Sequence, residues 1–317
     1  MKAALSLDLD NKWSYMKTHG DAGWESFPTY LDVLIPQALR IMGDLGVRIT
    51  FFVVGQDAAI ERNHDALAQI APAGHEIGNH SFHHEPWMHR HSHADIDDEL
   101  ARAEESIAAA AGHMPRGFRG PGFVKSSTLI DVLASRGYLY DASSLPTFIG
   151  PLARAYYFRS ARLEGRDLDE RHDLFGQFTD GFARNRPYRM YSGTRSIEEI
   201  PVTTMPGLRL PIHVSYVLYI ATVSAALALA YFRAALTLCA LTSTAPSILL
   251  HPLDFLSERD CPELRFFPGM TLDPGVKREL LLRVLHELAA RFDVVPLERF
   301  TISQHAAAGP YGGVAAS

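Results

Sequence analysis

The sequence predicts an α/β fold in which short parallel strands alternate with helices and close into a distorted (β/α) barrel. Two observations carry this prediction. Strand-like apolar runs are separated by segments with helical periodicity, the order that generates parallel βαβ units with helices outside. The number of such repeats along 317 residues, 47% of them hydrophobic, suits a closed barrel around one sizeable core better than an open sheet.

Ala3–Leu9 reads as the first buried strand. Tyr30–Leu45 follows as an amphipathic helix with Leu31, Leu34, Ile35, Leu39 and Met42 on one face. Val47–Val54 is β-branched and aromatic, and Gly46 and Gly55 bound it. A helix over Asp65–Ala71 ends at the breakers Pro72 and Gly74, and His75–Asn79 is the next strand. Ala94–Ala111 is a helix stopped by Gly112. Gly117–Arg119, the helix Ser126–Arg136 and Tyr138–Asp141 continue the alternation. Residues 143–195 break it with no sustained period and read as a long insertion at the barrel mouth, a place where loops carry specificity. The pattern resumes with Glu199–Thr203, Ser247–His251, the helix Val276–Ala290 and the strand Phe292–Val295. Residues 1–303 thus read as a single domain and 304–317 as a flexible tail.

Composition narrows the function. A net charge of -6 without a basic stripe argues against a nucleic-acid partner. Cys239 and Cys261 are the only cysteines, so no disulfide framework is indicated and a reducing compartment is the simpler expectation. Met1-Lys2 leads straight into a strand, with no apolar stretch and cleavage site of a secretory signal; the expected location is the cytoplasm. Residues 212–232 carry no charge and approach the length of a membrane span. His213, Ser215, Thr222, Ser224 and several tyrosines make insertion poor, so 212–241 reads as an apolar helical insertion, with peripheral membrane contact through 212–232 as the alternative.

The chemistry concentrates at strand ends, which share one rim in a parallel barrel. Asp8 and Asp10 close the first strand, two apart, and can reach one cavity. His80-Ser81-Phe82-His83-His84 follows the third strand; if the segment makes a turn, His80 and His84 fall on one face. Two neutral imidazoles and one carboxylate match a catalytic zinc site with a fourth position left open. Arg119-Gly120-Pro121-Gly122 would form a tight turn presenting Arg119 inward, and Leu249-Leu250-His251-Pro252 is an apolar strand ending in a histidine. Each alone also fits a solvated turn, a His-rich loop or a core histidine.

In order and spacing these segments resemble the polysaccharide-deacetylase family (NodB-like, carbohydrate esterase family 4), in the subgroup with a spaced Asp-x-Asp. The resemblance covers most of residues 3–142 and 197–300. It implies that Asp8 is the general base and that Asp10, His80 and His84 hold a divalent metal, with zinc the default and cobalt, nickel or iron also compatible. Arg119 would orient the base and His251 would be the general acid. The family's Asp-Trp pair, which supports the catalytic histidine, has no match: Pro146-Thr147 stands there, so that either Asp141 or a residue of the insertion does that job, or the pocket differs. The implied activity is removal of an acyl group, N-acetyl first, from a carbohydrate or amino sugar. The alternatives are deformylation or deacetylation of a lipid-linked sugar at the cytoplasmic membrane face, and hydrolysis of a non-sugar amide.

Overall fold

A computed structural model describes residues 1–152 and 178–307. Its central sheet has nine strands: β1 (Lys2–Asp8), β2 (Thr50–Val53), β3 (Glu76–Asn79), β4 (Gly117–Phe118), β5 (Tyr140–Asp141), β6 (Tyr188–Ser192), β7 (Arg195–Glu199), β8 (Ser247–Leu250) and β9 (Asp293–Val295). Neighbours run β6-β7-β5-β4-β3-β2-β1-β8, and β9 pairs with the start of β1. Among the described residues, all pairings between these strands are parallel except the β6–β7 hairpin.

The sheet closes through chain that no longer counts as strand. Beyond β7, Ile200 and Val202 donate to the carbonyls of Asp141 and Ser144, and Thr203 donates to the Ser247 carbonyl at the start of β8 (2.8 Å). The Ser247 N–H returns to Thr203 Oγ1 (2.8 Å). The distorted barrel expected from the alternation is therefore present, sealed by an irregular stave.

The side-chain period of two sorts β1 into two environments. Ala3, Leu5 and Leu7 join the large core under the helices, with Leu34, Ile35, Phe51, Val284 and Leu288. Ala4 points the other way, into a barrel interior plugged by Phe52, Tyr140, Ile200 and Phe300. Ser6 and Asp8 share that inner face higher up, where both meet Arg119. Both faces of β1 are buried, as expected for a parallel sheet covered by helices.

Several boundaries moved. A helix at Lys12–His19, capped by Asn11, was not legible because its apolar residues keep no helical period. β6 lies inside the 143–195 insertion and β7 starts at its last residue; the central part of the insertion falls outside the described residues. The strand expected at Glu199–Thr203 is instead β7 plus the sealing stave. The apolar segment 212–241 is two helices, Val214–Ala221 and Ala225–Leu241, separated where Ser224 caps the second by accepting from the Leu227 N–H. Among the described residues no helix is long and apolar enough to cross a membrane. The tail expected from residue 304 begins as part of the helix Leu297–Ala307; its remainder lies outside the described residues.

Candidate active site

Asp8 ends β1 with its side chain in the barrel, and Asp10 follows in the turn that enters the helix Lys12–His19. Asn11 fixes that turn. Its carboxamide oxygen accepts from the N–H groups of Lys12 (2.8 Å) and Tyr30 (3.2 Å), and its nitrogen donates to Thr29 Oγ1 (2.9 Å) and Asp57 Oδ1 (2.7 Å). All four of its hydrogen-bonding positions are used, so the backbone beside Asp10 has little freedom.

The loop after β3 brings the histidines in, though not on a helical face. Ser81 and His84 both adopt left-handed backbone (φ 60° and 54°), wrapping the chain so that His80 and His84 converge. Such conformations are costly for non-glycine residues and need outside support. Glu99, on the helix His93–Ala111, supplies it: Oε1 accepts the N–H groups of Phe82 (3.0 Å) and His83 (2.7 Å), and Oε2 sits 2.6 Å from His83 Nδ1. Burial would raise the Glu99 carboxyl, but His83 and these N–H donors outweigh it and hold it below the usual range.

The result is a compact cluster. Asp10 Oδ1 lies 3.1 Å from His80 Nε2 and 2.9 Å from His84 Nε2, and all three residues are buried or nearly so. His80 Nδ1 is 2.6 Å from the Arg119 carbonyl, which can only accept, so Nδ1 carries a proton and Nε2 is the atom turned to Asp10; burial opposes the charged ring, but Asp8 and Asp10 raise it above its usual value. Burial pushes the Asp10 carboxyl up, yet His84 and His80 together hold it well below the ordinary carboxylate value. For His84, burial dominates and keeps the ring below its usual value. A carboxylate oxygen and two imidazole nitrogens converging on one point form a donor set that a divalent cation would complete in place of protons, and their ligand atoms lie within 4.8 Å of one another. The donor set fits a metal.

Arg119 joins this cluster to the second aspartate. Its side chain is fully buried and stacks over Phe52 (4.5 Å from Cζ to the ring centre). Nε donates to the Ala142 carbonyl (2.9 Å), and Nη1 to Ser6 Oγ and Asp8 Oδ1 (2.8 Å each). One residue thus aims Asp8 with its side chain and fixes the His80 tautomer with its carbonyl. The turn after it depends on glycine, because a Cβ at Gly120 would stand 2.4 Å from the Val124 carbonyl oxygen. Asp8 Oδ2 is left facing the cluster, 3.9 Å from His80 Nε2.

Asp8, Asp10, His80, His84 and His251 line one cavity, rimmed by Tyr15, Phe123, Phe266 and Phe267. The sequence-derived site residues therefore assemble, with Arg119 buried behind Asp8. The support expected for His251 from Asp141 is not found: the Asp141 side chain pairs with Ser143 Oγ and adjoins Glu199 instead. His251 Nδ1 meets Ser215 Oγ at 3.0 Å. Sequence reading missed Ser215, Tyr15 and the Phe266–Phe267 pair. Tyr15 carries a buried hydroxyl with no hydrogen-bond partner among the described residues, and burial together with the Asp10 charge pushes that phenol well above its ordinary value. Its position five residues after Asp10 was the only available signal, and a weak one.

The fold is a (β/α) barrel that carries this cluster at the ends of its strands. Residues 21–140 match the family described as polysaccharide deacetylase. That segment holds His80, His84 and Arg119, while Asp8, Asp10 and His251 lie outside it and are brought in by the fold. A stretch of 163 residues (49% of the chain) is 28% identical to the peptidoglycan deacetylase of Helicobacter pylori (strain ATCC 700392 / 26695), over 52% of that protein. Another of 107 residues (34% of the chain) is 32% identical to the uncharacterized protein YlxY of Bacillus subtilis (strain 168), over 31% of it. The chain thus spans between about a third and a half of the curated relatives it matches. The crystal structure of a Mycobacterium smegmatis protein assigned as a polysaccharide deacetylase superposes with a TM-score of 0.66 at 21% identity, covering 100% of this chain and 94% of that one. The last likeness concerns the fold alone.

Proposed function

We propose that the protein removes an acyl group, N-acetyl first, from a carbohydrate or amino-sugar substrate. The observation that carries this reading is the cavity where the Asp10–His80–His84 cluster, the Arg119-bound Asp8 and His251 face one another. Asp10, His80 and His84 would hold a divalent ion, zinc by default, which when bound supplies Lewis acidity toward the acyl carbonyl and activates water for attack. Asp8 is the base. Arg119 occupies Oδ1 and leaves Oδ2 free on the cavity side, so the carboxylate is aimed to take a proton from attacking water. His251 stands on the other wall to protonate the departing nitrogen or oxygen. The hydroxyl of Tyr15 remains a donor and is placed to bind an acyl or sugar oxygen. The aromatic rim suits the apolar face of a pyranose ring.

The test is acetate or formate release from a panel of N-acyl amino sugars, alongside metal content. Asp8→Asn retains the metal and loses turnover by roughly 10²–10⁴-fold, the range for a general base; full activity in that variant refutes the assignment. A second reading, deacylation of a lipid-linked sugar at the cytoplasmic membrane face, draws support from an apolar corner. Tyr219, Val223 (84% exposed) and Leu227 protrude where the two helices of 212–241 meet, one of which also carries Ser215. Co-sedimentation with anionic phospholipid vesicles, lost in Val223→Ser/Leu227→Ser, would favour it; no sedimentation would remove it.

A further inference from the structure

The first of the two apolar helices starts at the chemistry. Val214–Ala221 begins beside the cavity, and Ser215 in its first turn presents Oγ to His251 Nδ1 at 3.0 Å. His251 closes β8 and starts the short helix Pro252–Phe255, where its backbone N–H donates to Asp254 Oδ2 (2.8 Å). Asp254 is only 2% exposed. Among the described residues no carboxylate pairs directly with the His251 ring. Burial holds the Asp254 carboxyl above its ordinary value, against the adjacent His251 ring and the Ser215 hydroxyl, which favour its charged form. The other ionisable groups around this corner are Asp8 and Asp10 across the cavity, Tyr15 between, His213 at the start of the Ser215 helix and Lys277 behind Asp254.

We propose that Ser215 is the positioning residue for His251, linking it to the buried Asp254 carboxylate in place of the family's Asp-Trp pair; this rests on the acyl-hydrolase reading above. A serine hydroxyl donates once and accepts. With an anionic carboxylate on one side, its O–H turns toward Asp254 and its lone pair accepts Nδ1–H of His251. The ring is then fixed with Nδ1 protonated and Nε2 directed to the substrate. As the C–N bond of the tetrahedral adduct breaks, its electron pair goes to nitrogen and the Nε2 proton moves to that nitrogen. His251 is left neutral, Nδ1–H stays on Ser215, and no proton leaves the serine.

Ser215→Ala, Ser215→Thr, His251→Ala and the Ser215→Ala/His251→Ala double variant, each as the full metal-loaded chain, test this on an N-acetyl amino sugar and on an aryl acetate whose leaving group needs no proton. Ser215→Ala should lower kcat on the amide about 10-fold or more, within the range available to acid catalysis. KM, metal stoichiometry and aryl acetate turnover should hold. Ser215→Thr should restore the amide rate, and the double variant should be no slower than His251→Ala. An equal loss on amide and ester in Ser215→Ala, or a further loss in the double variant, overturns the linkage while leaving the acid assignment standing. An equal loss on both substrates in His251→Ala overturns the acid assignment and the linkage with it.

Discussion

Glu99 touches no candidate ligand, yet the metal site should depend on it. Its carboxylate holds the Phe82 and His83 N–H groups and the His83 ring, in the middle of a loop whose Ser81 and His84 sit in left-handed backbone. Glu99→Ala leaves two backbone donors without an acceptor, at about 1–3 kcal/mol each when buried. The His83 side chain is 39% exposed, so water can reach that end of the loop and the total should fall to about 2–4 kcal/mol. A loosened His80–His84 loop should also bind its ion more weakly by about 10–100-fold, the usual cost of removing an outer support, or about 1.4–2.7 kcal/mol. Urea unfolding of the metal-free protein measures the first quantity, and competitive titration with a chelator the second. The sign with pH follows from the depressed Glu99 value: the support is complete above the unfolded glutamate pKa near ~4.3 and is lost as pH falls through the lower folded one. Wild type should therefore lose metal affinity in acid more steeply than Glu99→Ala. A Glu99→Ala protein of reduced stability but unchanged affinity would show that the histidines are held by their own packing, and the reasoning would fail.

The remaining predictions concern buried charges around the site. Asp57 anchors Asn11 and Trp13, and burial raises its carboxyl to about 7 despite those donors. Because the unfolded chain ionises near ~4, this group removes stability as pH rises from about 4 to about 7. Asp57→Asn should abolish that slope and gain up to ~4 kcal/mol at pH 7 in denaturant melts; an unchanged slope would refute it. Lys277 donates to the Leu253 and Leu256 carbonyls (2.5 and 2.6 Å), pinning the turn that follows His251, and burial lowers its ammonium to about 8. Lys277→Met should cost about 1–3 kcal/mol near neutrality by orphaning two carbonyls. Wild-type stability should also rise between pH ~8 and ~10.5, where only the unfolded chain keeps that proton, and the variant's should not.

What local pattern encodes was legible in advance. The strand–helix alternation announced the barrel, the two-residue period sent Asp8 and Asp10 toward one cavity, and the strand-end positions picked out His80, His84, Arg119 and His251. What depends on partners distant in sequence was not. Whether 212–241 enters a bilayer or packs as two helices turns on Ser224 capping and on the core waiting for Phe232 and Leu236. The His251 support was sought near Asp141 because sequence offers a nearby carboxylate, whereas the fold delivers Ser215 from an apolar helix 36 residues upstream. Glu99 reads as one acid among several on a solvated helix until the β3 loop brings two N–H groups to it. Periodicity and breaker residues are properties of neighbours along the chain, so sequence determines elements and the rim on which the chemistry gathers. Hydrogen-bond satisfaction in a buried site is a property of neighbours in space, and only tertiary structure decides it.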